Sequence, residues 1–539
     1  MPARKGDSAV SLAPFEKARL SVTGVLRRPA WWAAAGLCLW LILTAAAQHA
    51  DANYDLRNYH FYGPFALLHG RMGFDIAPAQ LQGFYPPTLD LPFYVLSRLV
   101  HRVWLMNAVL ALPHCLAVVL AFLIARRLLG ARDLAATALA ALVTLIGATG
   151  AGMLPTLATT MSDALPVACI LGAVLTLMTD QAWAGRRVVL AGLLCGAAAG
   201  LKLTEIGAGV AVGSAIVLAG GGTLTVRLRR GIIYAAGALL GAAALGGWWW
   251  WRIYALTGDP VFPHFNAVFH SALIPPIDIT DTRFLPKTWL ESAIYPLFWA
   301  ADRFSGVSEL PVRDPRIAIA AIGCVFIAIR LWRHPARTPF MLVVFFAVTY
   351  ALWERQFSIF RYLSALELLS GAMMLCAVLP LLITQRGRVL AFFGFAIVFA
   401  MLRAITIYPD WGHVDGAMPP AVKLPAMAGN SLVLLLDQSP MAYVAPFAPR
   451  SVRFVGANNN LIHLNRSEPL QQRVQHVLNS QKGEIWGMEI PFAWPGTADE
   501  TLAFYGLRRD GCTQVQSNLD NNAIRLCRLK RVTPGAGLK

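Results

Sequence analysis

Charge is scarce in this chain. Asp, Glu, Lys and Arg make up 14% of its 539 residues, against about 25% in a typical soluble domain. A soluble chain of this length would divide into several domains, each needing a charged surface, so that class is excluded. The short alternating segments of a transmembrane β-barrel are also missing. There is no internal repeat and no recognisable cleavable signal. The first apolar stretch, residues 31–48, is too long for an h-region and has the basic flank of a signal anchor. What is present is apolar: 57% of residues are hydrophobic. They fall in blocks of roughly 18–25, the length that crosses a hydrocarbon core as helix.

The net charge of +17 is concentrated in short hydrophilic breaks. These hold Arg27-Arg28, Arg126-Arg127 with Arg132, Arg186-Arg187, Arg227 with Arg229-Arg230, Arg330 with Arg333 and Arg337, and Arg386 with Arg388. That is the positive-inside pattern of a membrane protein, not the basic patch or stripe of a nucleic-acid binder.

Apolar blocks near residues 31–48, 103–124, 134–153, 164–178, 188–201, 206–218, 231–254, 317–332, 339–353, 362–382 and 389–407 predict about eleven spans. An odd count sets the N-terminal arm (1–29) in the cytoplasm and the tail (408–539) outside, and every arginine cluster then falls inside. The expected fold is a polytopic α-helical membrane protein with a small C-terminal extracytoplasmic α/β domain. Its membrane domain covers 30–407, with outer loops 49–102 and 257–316. The expected location is the inner (plasma) membrane, with the tail periplasmic or extracellular. In the tail, strands are predicted near 431–436, 451–456 and 484–490, and helices near 469–480 and 498–505. Segments 513–516 and 523–529 are expected to pair antiparallel.

Six of the eight cysteines (Cys38, Cys115, Cys169, Cys195, Cys324 and Cys376) lie in apolar spans, as small core residues do. Cys512 and Cys527 lie in the tail, and a disulfide between them follows if the tail is outside.

Three polar clusters stand at the outer ends of spans, where ionisable groups are functional candidates. The first is Asp51-Ala-Asn-Tyr-Asp55-Leu-Arg-Asn-Tyr59-His60, followed by Gly70, Asp75 and Tyr85-Pro86-Pro87. Asp51 and Asp55, four apart, would share one face of a helix; the same segment also reads as a solvated loop that caps a helix. The second is Thr159-Thr160-Met-Ser-Asp163, which reads equally as an N-cap. The third is cationic: Lys202, then Arg355 and Arg361. Its alternative is snorkelling to headgroups. Carboxylates and cations converging on one face suit a reaction in which an acid deprotonates a nucleophile while basic groups hold an anionic leaving group.

With these motifs in order, the chain resembles the GT-C superfamily, membrane glycosyltransferases that take sugars from polyprenyl-phosphate donors. The resemblance covers roughly residues 31–382. It is carried by Asp55, Tyr59, Gly70 and Tyr85-Pro86-Pro87; by Asp163-Ala-Leu-Pro166; and by Gly200-Leu-Lys202. Thr257-Gly-Asp-Pro-Val-Phe-Pro263 is similar to the family's Gly-Asn-Pro-x-x-Pro loop, and Arg361-Tyr362 to its late Arg-Tyr motif.

The resemblance implies an inverting transfer from a polyprenyl-phosphate sugar to an extracytoplasmic glycan, lipid or protein acceptor, with membrane lipid around the protein. Asp55 would be the base, with Asp51 as its competitor, and Asp163 would bind the acceptor or orient a hydroxyl. Lys202, Arg361 and Arg355 would hold the donor phosphate, while Tyr59, His60 and Tyr85 contact the acceptor or shape the loop. Leu56 stands where the family often has Glu, so a divalent metal is left open; no His/Asp/Glu spacing marks one, and His60 reads as a local hydrogen-bonding residue. The rival readings are a polyprenyl-lipid or solute transporter and a non-catalytic membrane scaffold.

Overall fold

The computed structural model describes residues 29–179, 183, 185–301, 306–415 and 418–532; the expected arm up to Arg28 lies outside them. Helices occupy each expected apolar block: α1 (Pro29–Ala46), α2 (Val103–Leu110), α3 (Leu112–Leu129), α4 (Leu134–Ala148), α5 (Ala164–Met178), α6 (Gly185–Leu201), α7 (Ile206–Ala219), α8 (Leu224–Thr257), α9 (Arg316–Arg333), α10 (Arg337–Gln356), α11 (Ser364–Ala377) and α12 (Gln385–Ile405). The second block breaks into α2 and α3 because Pro113 opens α3; proline has no N–H to donate and is tolerated only where a helix starts. Among the described residues, five stretches are long and apolar enough to cross a membrane: α1, Val103–Leu129, α8, Phe360–Ala377 and α12. Residues of α4, α5 and α7 form shorter apolar helices.

Small residues let α6 and α8 touch backbone to backbone. A Cβ added at Gly196 would lie 1.9 Å from the Ala238 carbonyl oxygen, and one at Gly241 2.2 Å from that of Leu193. This is the small-residue packing of membrane helices. At 34 residues, α8 is about 51 Å long and outreaches a ~30 Å hydrocarbon core. Its tryptophans divide accordingly. Trp251 is 72% exposed, as an aromatic belt requires, whereas Trp249 is buried and donates to the Phe84 carbonyl at 2.9 Å.

An ion cluster that sequence reasoning passed over ties the bundle together. Arg316, fully buried, donates to Asp314 Oδ2 (2.7 Å), Thr406 Oγ1 (2.8 Å) and the Ile146 carbonyl (2.6 Å). Asp314 and Glu367 in turn accept from the backbone of Ala151, Gly152 and Met153 at 2.8–2.9 Å. The turn after α4 is thereby fixed to α9 and α11.

The tail forms a five-stranded sheet of β1 (Leu432–Leu435), β2 (Arg453–Gly456), β3 (Ile485–Glu489), β4 (Leu507–Gln514) and β5 (Arg525–Arg531), in the order β2-β1-β3-β5-β4. The first three strands are parallel; β5 is antiparallel to both neighbours. Cys512 faces Cys527 across β4 and β5 and the two form a disulfide.

Every residue of β1 is buried, as a parallel strand covered on both faces must be. Leu432 and Leu434 pack toward helices Pro469–Ser480 and Thr497–Tyr505. Val433 and Leu435 join a core with Phe61, Phe65 and Tyr94 of the loop between α1 and α2. That loop also extends the sheet: Ile76 exchanges hydrogen bonds with Phe454 and Gly456 at the β2 edge. Asp75 accepts from Arg71 (2.7 Å), Tyr62 (2.8 Å) and the Phe454 amide (2.9 Å), so it fastens loop to sheet. The tail and the loop between α1 and α2 therefore share one core.

Candidate active site

Asp55 lies one residue before a helical turn, Leu56–His60, and Asp163 one residue before α5; neither carboxylate caps its helix. Both turn toward cations. Arg361 Nη1 donates to Asp55 Oδ2 at 3.0 Å, and Arg361 Nε lies 3.7 Å from Asp163 Oδ2. Lys202, between α6 and the turn Leu203–Glu205, pairs with Asp163 Oδ1 and donates to the Met161 carbonyl at 3.2 Å. Two carboxylates and two cations from four distant segments form one cluster whose side chains are 5–18% exposed. The snorkelling alternative fails for Lys202 and Arg361, whose charges point into the protein.

Rings enclose the cations. Lys202 Nζ lies 5.4 Å, and Arg361 Cζ 5.3 Å, from the centre of Tyr362; Trp411 lies 5.5 Å from Arg361 on another side. These are cation–π distances. Tyr59 meets Tyr85 edge to face, centroids 5.9 Å apart, and Tyr85 Oη is 3.2 Å from His264 Nε2. His60 Nδ1 is 2.6 Å from Asp90 Oδ1, a partner 30 residues on in the chain.

The two competing carboxylates of the first loop differ in kind. Burial opposes ionisation of Asp55, but Arg361, then His60 and Lys202, outweigh it and hold its carboxyl below the ordinary range. Burial dominates at Asp51 and pushes its carboxyl up in spite of its hydrogen bonds. Asp51 accepts five contacts, three from Asn53 and two from Thr160, at 2.8–3.1 Å. Both oxygens are thus occupied in joining the first loop to the turn before α5. Burial, then Asp55, raises Tyr59 far above the usual phenol, so it stands as a neutral hydroxyl.

Arg355 is not brought into the cluster. It is exposed in the last turn of α10, and the chain reverses through Ser358, with φ +52°, before Arg361. The residues that sequence reasoning missed are Asp90, His264 and Trp411. Trp411 follows the last span in a stretch with no motif, and only its position beneath Arg361 reveals it.

Among the described residues no group of three or more His, Cys, Asp or Glu could hold a metal ion. Asp55 and Asp163 are each engaged by a cation instead, so this cluster does not fit a metal centre.

No family model and no curated protein matches the sequence. Among solved structures, ArnT from Cupriavidus metallidurans bound to undecaprenyl phosphate matches 96% of this chain and 100% of its own, with a TM-score of 0.52 and 14% identity. ArnT is a GT-C glycosyltransferase. The chain shares the fold of that protein. The match runs through the tail sheet as well as the helices, since 96% of the chain is covered.

Proposed function

We propose that this chain is a multi-pass inner-membrane glycosyltransferase that moves a sugar from a polyprenyl phosphate to an acceptor on the outer face. The observation that carries the reading is Arg361, which touches Asp55 on one side and Asp163 on the other while Lys202 pairs with Asp163. A GT-C neighbour holding undecaprenyl phosphate supports the donor class. In this reading the eleven apolar helical blocks all span, the N-terminus is cytoplasmic, and residues 408–539 are periplasmic.

Arg361 and Lys202 bind the donor phosphate, as charge-assisted donors do. The phosphate competes with Asp55 for Arg361, and Asp55, freed of its strongest stabilising partner, becomes the stronger base. It takes the proton of an acceptor hydroxyl as that oxygen attacks the anomeric carbon. The bond from that carbon to the phosphate oxygen breaks, and the two cations stabilise the polyprenyl phosphate that leaves. A single displacement inverts the anomeric centre. Asp163 holds Lys202 and Arg361 in place.

The test is sugar release from a panel of radiolabelled polyprenyl-phosphate sugars by purified protein supplied with acceptor-containing membrane extract. Release by wild type and not by folded Asp55→Asn is the expected result; no release from any donor overturns the reading.

A further inference from the structure

The last turn of α9 and the first turns of α10 part around a crevice of about 550 Å³, within the roughly 300–1,000 Å³ of small-molecule pockets. It lies far from the charged cluster: α10 runs 20 residues from here to Gln356, shortly before Arg361, a rise of about 30 Å. The walls include Ala328, Leu331 and Trp332 of α9 and Phe340 and Val343 of α10, and Arg337 is the one charged residue of the lining. Ile322, Phe326, Ile329 and Trp332, spaced as one face of α9, are 50–91% exposed. Trp332 belongs to both, so an open apolar stripe leads into the crevice.

The turn beside the crevice is strongly cationic. It carries Arg330, Arg333 and Arg337, and no Asp or Glu occurs between Asp314 and Glu354. Arg337 is held in place: its Nε donates to the Ala219 carbonyl at 3.1 Å, and its Cζ lies 4.2 Å from the centre of the Trp183 ring. Arg333 is exposed, and its guanidinium has no hydrogen bond or ion pair among the described residues. The positive-inside pattern accounts for the charges but not for an apolar crevice beside them. A second copy of this chain is a poor occupant, because a symmetric contact would set these arginines against their own copies with no carboxylate to meet them. A lipid with an anionic head matches both features. Basic pockets between membrane helices bind anionic headgroups, and an acyl chain fills an apolar slot.

We propose that this crevice binds an anionic glycerophospholipid, with one acyl chain between α9 and α10 and the phosphate at Arg333 and Arg337. The bound lipid ties the two helices together at the end away from Arg361. The site is separate from sugar transfer and takes from the reading above only that α9 and α10 lie in the bilayer.

The test uses the purified full chain in detergent and measures bound lipid by native mass spectrometry. Dioleoyl phosphatidylglycerol is compared with dioleoyl phosphatidylcholine, which has the same tails and no net charge. The variants are Ala328→Trp, which fills the crevice from an exposed position, and Arg333→Gln, with Arg386→Gln as a control at an exposed arginine of another turn. Wild type is expected to retain phosphatidylglycerol over phosphatidylcholine. Arg333→Gln is expected to bind phosphatidylglycerol about fivefold more weakly, Ala328→Trp at least as weakly, and Arg386→Gln as wild type does. Equal retention of the two phospholipids by wild type overturns the proposal, and so does undiminished binding by Ala328→Trp. Equal losses in Arg333→Gln and Arg386→Gln would mark general charge attraction and overturn it too. A wild-type dimer that Ala328→Trp dissociates would assign the crevice to a second copy, with the same consequence.

Discussion

Arg361 donates to Asp55 at 3.0 Å across 306 residues of chain. This pairing sets the base strength of Asp55, because Arg361 is the largest influence opposing its burial. With Arg361 removed, burial loses its chief opponent and the Asp55 carboxyl rises from its lowered position. In the proposed mechanism activity requires the ionised base, so it is present above the Asp55 pKa and lost as pH falls through it. In wild type that acid limb is expected below the ordinary carboxylate range for the free enzyme. In Arg361→Gln the residual kcat/KM for sugar release is expected to fall off at higher pH than in wild type. Unchanged acid limbs in the two proteins would separate Arg361 from the base.

Asp51 and Asp55 were rivals by spacing, and two substitutions separate them. Asp55→Asn keeps shape and removes basicity; a loss of about 10²–10⁴ in kcat, the range for general-base removal, is expected with little change in melting temperature. Asp51→Ala leaves the buried donors of Asn53 and Thr160 unpaired, at a cost of about 1–3 kcal/mol each. Its effect is expected first in thermal melting in detergent. The opposite pattern would make Asp51 the base.

Much of this arrangement was readable from residue order, and the failures have physical causes. Apolar blocks predicted where helices form because hydrocarbon-length runs admit little else. In the tail, alternating strand and helix signals landed on β1, β2, β3 and both tail helices within a few residues. The break between α2 and α3 had a legible sign in Pro113 that hydropathy averaging hid. Arg355 and Arg361 looked equivalent because both flank one short polar stretch. Only the left-handed turn at Ser358 decides which of them faces inward. Glu367 was the acid inside an otherwise apolar run and carried a signal of its own, since intramembrane ionisable groups pair with something. Its neighbours, 150–153 and Asp314, are far away in sequence. The docking of the tail on the first loop through Asp75 and Ile76 was illegible for the same reason.

Phosphate binding should separate the cations. Lys202→Met removes one charge-assisted bond to the donor, worth about 1.5–3 kcal/mol, or roughly 10–100-fold in undecaprenyl phosphate affinity. Arg355→Ala, at an exposed position outside the cluster, is expected to bind as wild type. Equal losses in the two variants would return Arg355 to the site.

The buried cluster around Arg316 makes a contrasting prediction about stability alone. Arg316 is fully buried with its charge set against Asp314 at 2.7 Å, while the nearby Glu367 is held by backbone amides. Arg316→Met leaves the Asp314 carboxylate without its cation in a low-dielectric interior, and breaking such a pair typically costs about 3–5 kcal/mol. A double replacement, Arg316→Met with Asp314→Asn, removes the orphaned charge together with its partner. It is expected to recover a large part of the loss, because the penalty belongs to the uncompensated carboxylate rather than to the missing guanidinium. Melting curves of the two variants in detergent decide it. If the double variant melts no higher than the single one, the arginine acts by packing α9 against α4 and not by charge.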